Sequence, residues 1–99
     1  MEIVKNIEGG KATFVVKGCL DTTTSPEMQA AIDAIDATVT ELTFDFSPLE
    51  YISSAGLRVM LMANKKMTAG GGKMRLVGLN PSVREVFDMT GFSDIFDIA

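Results

Sequence analysis

Residues 44–66, FDFSPLEYISSAGLRVMLMANKK, constrain this chain more than any other stretch, because they specify a strand, a tight loop and a helix in immediate succession. Leu42, Phe44 and Phe46 alternate with Thr43 and Asp45, the period of two of a strand with one buried face. Pro48 ends that strand. From Ala55 onward good helix formers follow without proline, and Ser53 and Ser54 stand just ahead, where a hydroxyl can bond the free N–H groups of a first turn. Two roles are open to a serine so placed. A plain N-cap needs no function at all. Ala55 and Gly56, however, leave the hydroxyl unscreened, and a glycine in a first helical turn costs about 1 kcal/mol relative to alanine. Such a cost suggests that something approaches this backbone closely. A helix N-terminus also favours an anion by roughly 0.3 to 1 kcal/mol, up to about 2 when partly buried, so a phosphate on the serine would be tolerated.

Around this stretch the remaining elements follow from punctuation. Ile3 to Ile7 and Lys11 to Lys17 flank Gly9-Gly10, which predicts an antiparallel hairpin. Ser25 as N-cap, Pro26 and Glu27 announce a helix whose buried stripe is Met28, Ala31, Ile32 and Ile35, with Asp33 and Asp36 outside it. A strand from Thr40 to Phe46 precedes the loop and its helix, and Lys73 to Leu79 forms another strand after them. The glycines at 70–72 are read as a helix stop and turn, since a phosphate-binding loop needs a helix opening with Lys-Ser/Thr directly behind it. Pro81-Ser82 opens a third helix with Val83, Val86 and Phe87 inward, Gly91 ends it, and Phe92, Ile95, Phe96 and Ile98 supply an apolar tail. Strand-helix-strand passages of this length predict right-handed crossovers between parallel neighbours, and alternation within the strands predicts helices mainly on one face.

Composition excludes whole classes of function. Ninety-nine residues, 46% of them hydrophobic, describe one domain over 1–99. With no histidine, Ser-His-Asp and Cys-His centres and the commonest metal ligand are absent, and no GxSxG or SxxK pattern offers another route to an enzyme. The single Cys19 cannot form an internal disulfide, and reads as a small buried filler or a reactive thiol. A net charge of -4 without a Lys/Arg cluster argues against nucleic acid. No apolar run approaches a membrane span and the N-terminus carries no leader pattern, so the expected location is the cytoplasm, without direct membrane contact. The second helix is more apolar than the first; Met62 either belongs to a deeply buried helix or faces a partner. Asp21 and Asp45, near strand ends, either cap turns or belong to a site.

Four blocks, in order, resemble the signature of the STAS domain (sulfate transporter and anti-sigma factor antagonist), in particular its small stand-alone anti-sigma factor antagonists. They are Gly18-Cys19-Leu20-Asp21, Phe44-Asp45-Phe46, the loop Tyr51-Ile52-Ser53-Ser54-Ala55-Gly56-Leu57, and Pro81 to Gly91. The resemblance implies an α/β fold, a single STAS domain with a mixed four- to five-stranded sheet. It implies that Ser54 is a phosphoacceptor, with Ser53 the alternate, since Ser53 stands where the family often has Asp. Asp21, Thr22, Asp45, Ser53, Ala55, Gly56, Leu57 and Arg58 would then form one partner-binding edge. The implied partners are an anti-sigma factor that is also a serine kinase and a separate serine phosphatase. No cofactor is expected in the chain, the ATP being held by the kinase. Kinship leaves one alternative, an accessory subunit of a membrane transporter, including lipid-trafficking ones.

Overall fold

The computed structural model describes residues 1–99. Strand β1 (Glu2–Glu8) turns through Gly9-Gly10 into strand β2 (Lys11–Leu20), pairing antiparallel with Glu8 opposite Lys11. Gly9 has φ 60°, the positive value that the first central position of such a two-residue turn requires. Helix α1 (Ser25–Asp33), strand β3 (Glu41–Asp45), strand β4 (Leu49–Ile52), helix α2 (Ser54–Ala69), strand β5 (Lys73–Val77), helix α3 (Pro81–Thr90), a 3-10 turn (Phe92–Asp94) and strand β6 (Asp97–Ile98) follow. The sheet order is β1-β2-β3-β5-β6, with every pair after the first parallel, and β4 also pairing with β2.

The mixed sheet is as the sequence implies, but it holds six strands rather than four or five. One addition is β6, through which the apolar tail joins β5. The other is β4, in the stretch expected to be loop. Strand β3 ends at Asp45, ahead of Pro48, yet the chain re-enters the sheet at Leu49 against the far half of β2, which runs to Leu20 instead of stopping at Lys17. A bulge makes this possible: Gly18 opposes Leu49 and Cys19 opposes Tyr51, leaving Glu50 as the extra residue, and Gly18 has φ 95°. Thus β2 is shared lengthwise, β3 beside its first half and β4 beside its last three residues.

The crossovers β2-α1-β3, β3-α2-β5 and β5-α3-β6 all step the same way across the sheet. Right-handed connections taken successively in one direction stack their helices on one face. Ala12, Phe14, Val16, Leu42, Phe44, Met74 and Leu76 accordingly point under the helices and are buried. Phe14 and Phe44 meet edge to face, ring centroids 5.6 Å apart, and Phe96 of the tail meets Phe87 of α3 the same way at 5.6 Å. The opposite face stays open. Along one row of it Glu8, Lys11, Glu41 and Lys73 sit side by side with alternating charge, which suits a solvated sheet surface.

Helix α1 carries no basic residue in its last turn, and α2 supplies one. The Lys66 ammonium donates to the carbonyls of Ile32 at 2.8 Å and Ile35 at 2.9 Å, and lies 3.4 Å from that of Asp33. A cation among the last carbonyls at the negative end of a helix locks α1 to α2. Lys66→Met keeps the aliphatic stem and removes the charge. It should lower stability by about 1 to 2 kcal/mol, seen as a reduced urea midpoint at unchanged slope.

Candidate functional site

Everything at the N-terminus of α2 is set by the end of β2. The Ser53 N–H donates to the Leu20 carbonyl at 2.9 Å, continuing the β4 pairing by one bond before the helix begins. Two residues into α2, Gly56 lies over the same carbonyl. A Cβ there would come within 2.8 Å of the Leu20 oxygen and 2.8 Å of Ile52 Cγ1. The close approach suggested by this glycine is therefore made by the chain's own backbone. Leu57, 2% exposed, fills the core beneath. Gly56 and Leu57 are thus corrected from contact residues to the buried support of the loop. Gly56→Ala should cost about 1 to 3 kcal/mol, since the opposing atoms are backbone and a packed isoleucine; thermal unfolding would show it.

The two serines do different work. Ser53 is the N-cap: its backbone is extended (φ -98°, ψ 175°), it is half-buried, and its Oγ accepts from the Gly56 N–H at 3.3 Å. Ser54 is the first helical residue, exposed, and its hydroxyl is engaged in no hydrogen bond within the chain. Ala55 is half-buried, and Arg58, one turn beyond Ser54, is exposed. Further along α2 Met62 is 47% exposed, so the partner-facing alternative for that side chain is the one its position allows. Tyr51, 52% exposed on β4, stands beside the loop. The sequence places Tyr51 in the loop motif, and the structure puts it on a strand instead.

Asp21 belongs to this cluster, being covalently next to Leu20, and its carboxylate is already in use. Oδ1 accepts from the N–H groups of Thr23 at 3.0 Å and Thr24 at 3.1 Å, while Thr24 Oγ1 accepts from the Asp21 N–H at 2.9 Å. These reciprocal bonds have the form of a capping box but close the turn ahead of α1, whose N-cap is Thr24 with no side-chain cap bond of its own. Ser25, expected as the cap, is instead the buried first helical residue, and its hydroxyl donates to the Asp21 carbonyl at 2.6 Å. Thr22 is exposed at the crown of the turn.

Asp45 is not in the cluster. On the β2–β3 register it is level with Val15, whereas Ser53 is level with Leu20. Five residues of strand separate those levels, roughly 15 Å along the sheet. Asp45 instead holds its own turn, Oδ1 accepting from the Ser47 N–H at 2.9 Å and the Ser47 hydroxyl at 2.6 Å, over Gly78 (φ 74°). Both aspartates are thus turn caps, and only Asp21 is also beside the serines. No helix is long and apolar enough to cross a membrane.

A six-stranded sheet with three helices on one face and a serine exposed where the second helix begins defines a recognisable class of small α/β binding domain. The chain belongs to the STAS domain family, whose family model matches residues 2–99, and within it to the anti-sigma factor antagonists. It is 33% identical over 100 residues to BtrV of Bordetella bronchiseptica, provisionally described as an anti-sigma factor antagonist, covering 100% of this chain and 86% of that one. It is 30% identical over 98 residues to the anti-sigma-B factor antagonist of Listeria monocytogenes, covering 96% and 84%. Its fold matches Bacillus SpoIIAA, an anti-sigma factor antagonist. The TM-score is 0.78 for the unphosphorylated form (19% identity, 99% and 87% covered) and 0.77 for the phosphorylated form (21%, 99% and 91%).

Substitution at Asp21 separates its two uses. Asp21→Asn keeps the Oδ1 acceptor and should fold with nearly unchanged stability, whereas Asp21→Ala should lose about 1 kcal/mol in urea unfolding. Equal losses would mean that the charge, and not the cap, stabilises the turn.

Proposed function

We propose that the chain is a binding switch controlled by phosphorylation of Ser54. In its unmodified form it binds an anti-sigma factor that is also a serine kinase, and the sigma factor held by that protein is released for transcription. The kinase then transfers the γ-phosphoryl group of its own ATP to Ser54 Oγ; ADP leaves, and the hydroxyl proton passes to a base of the kinase. A separate phosphatase hydrolyses the ester and resets the switch. The chain acts as ligand and substrate, with no catalysis and no cofactor of its own, in the cytoplasm.

One observation carries the choice of residue. Of the two adjacent serines, Ser53 has its oxygen turned onto Gly56 as a cap, while Ser54 is exposed with its hydroxyl unengaged. A kinase can reach the second without dismantling the helix start. The phosphate would add about -1.5 to -2 charges. Its position in the first turn of α2 suits an anion, so the fold tolerates it. A partner that packs over the loop while Ser54 is neutral would have to desolvate a doubly charged group beside the Asp21 carboxylate, and such a like-charge juxtaposition at a buried contact costs several kcal/mol. About 4 kcal/mol weakens a complex roughly a thousandfold, since each 1.4 kcal/mol is tenfold. Release therefore needs no large rearrangement, in keeping with a loop held from below by Gly56 and Leu57.

The test is to incubate the protein with the serine-kinase anti-sigma factor of its own organism and ATP, and to locate added mass by peptide mass spectrometry. Ser54→Ala should abolish the phosphate, and Ser54→Asp should weaken the complex at least tenfold in a titration. Phosphate found on Ser53 would overturn the assignment of the residue, and no phosphate on either would overturn the switch.

A further inference from the structure

Thirteen acidic residues give this chain its net negative charge, yet none of them lies in the sixteen residues of α2. The charged side chains of that helix are Arg58, Lys65 and Lys66. Lys66 is turned onto the carbonyls ending α1. Arg58 is exposed and takes part in none of the three ion pairs of the molecule, which are Lys11–Glu41, Arg75–Asp97 and Arg84–Asp88. Its neighbours one turn away on the helix are Ser54, Ala55, Leu61 and Met62. Ser54 alone among these can acquire a negative charge. Residues four apart on a helix have their Cβ atoms about 5–6 Å from each other, and an anion placed N-terminal to a cation is the favourable orientation.

Resting on the reading that Ser54 is the modified residue, we propose that Arg58 swings onto the phosphate of Ser54 once it is formed and holds it within the same helix turn as its counter-ion. The planar guanidinium offers paired N–H donors that match two phosphate oxygens, which a lysine at this position would not. A phosphate on Ser53 would sit five residues back and off this line, so the pairing is specific to Ser54. The switch then changes two features of the surface together. Modification adds an anion at the first turn and withdraws the cation that α2 presents beside it. Arg58 in the unmodified protein stays free for an acidic group of the partner, and in the modified protein it does not.

The experiment needs no kinase. Phosphoserine is installed at residue 54 during translation with an expanded genetic code, in the otherwise native chain and in Arg58→Gln and Arg58→Lys, and the phosphate is titrated by 31P NMR. Asp21, beside Ser53, and Glu50 on β4 are common to all three proteins, so the difference between them isolates residue 58. The second ionisation of the phosphate should fall about 0.2 to 0.4 lower with Arg58 than with Gln, the size of an exposed i,i+4 pair, with Lys between. The Arg58 Nε–H resonance should also move between the serine and phosphoserine proteins. Coincident titrations together with an unmoved Nε–H would overturn the pairing. A kinase that leaves Ser54 unmodified would overturn the switch instead, and would leave this titration unaffected.

Discussion

The site depends on one backbone contact, the Leu20 carbonyl at the end of β2, which accepts from the Ser53 N–H and lies against Gly56. A hydrogen bond on one side and a missing side chain on the other bring the start of α2 down onto the sheet edge. With that contact in place Leu57 reaches the core, and Ser54, one residue past the cap, is turned outward. Exposure of a polar residue here follows from burial of its neighbours. A helix leaves only about a third of its first turn to each direction, so fixing Gly56 and Leu57 inward decides where Ser54 points.

The same economy governs the charges. Asp21 serves as the cap that turns β2 into α1, and its carboxylate is held in place by two N–H groups beside the serine loop. Lys66 completes α1 from a different helix. Arg58, by contrast, has no structural task and stands one turn above the serine. A side chain the fold does not need is free to answer a modification or a partner, which distinguishes it from Asp21 and Lys66.

Much of the architecture was legible in local sequence. Alternation in residues 42–46 and 12–16 gives strands with one buried face, and Gly9-Gly10, Pro26, Pro81 and Gly91 mark where elements turn, start or stop. Strand β4 was not legible. Leu49 and Ile52 are buried while Glu50 and Tyr51 are exposed, because the bulge opposite Gly18 breaks the period of two. Ser25 misled for another reason: the helix already begins at Ser25, with Thr24 at the N-cap position and its hydroxyl used to close the preceding turn with Asp21. The serine pair could be narrowed to two candidates from sequence, but which one caps the helix depends on where α2 begins.

The sequence alone determined the four main strands and three helices, their order, the helices on one side of the sheet, and the absence of any histidine-based centre, because periodicity, turn chemistry and composition act within a few residues. Tertiary structure alone decided that Gly56 makes room for Leu20, that Asp45 is a long way from Ser54, and that Lys66 and Arg58 have unlike roles. The first two are set by the pairing register of strands distant in the chain and the third by how α2 packs on α1, and both are properties of the assembled fold that no local pattern carries.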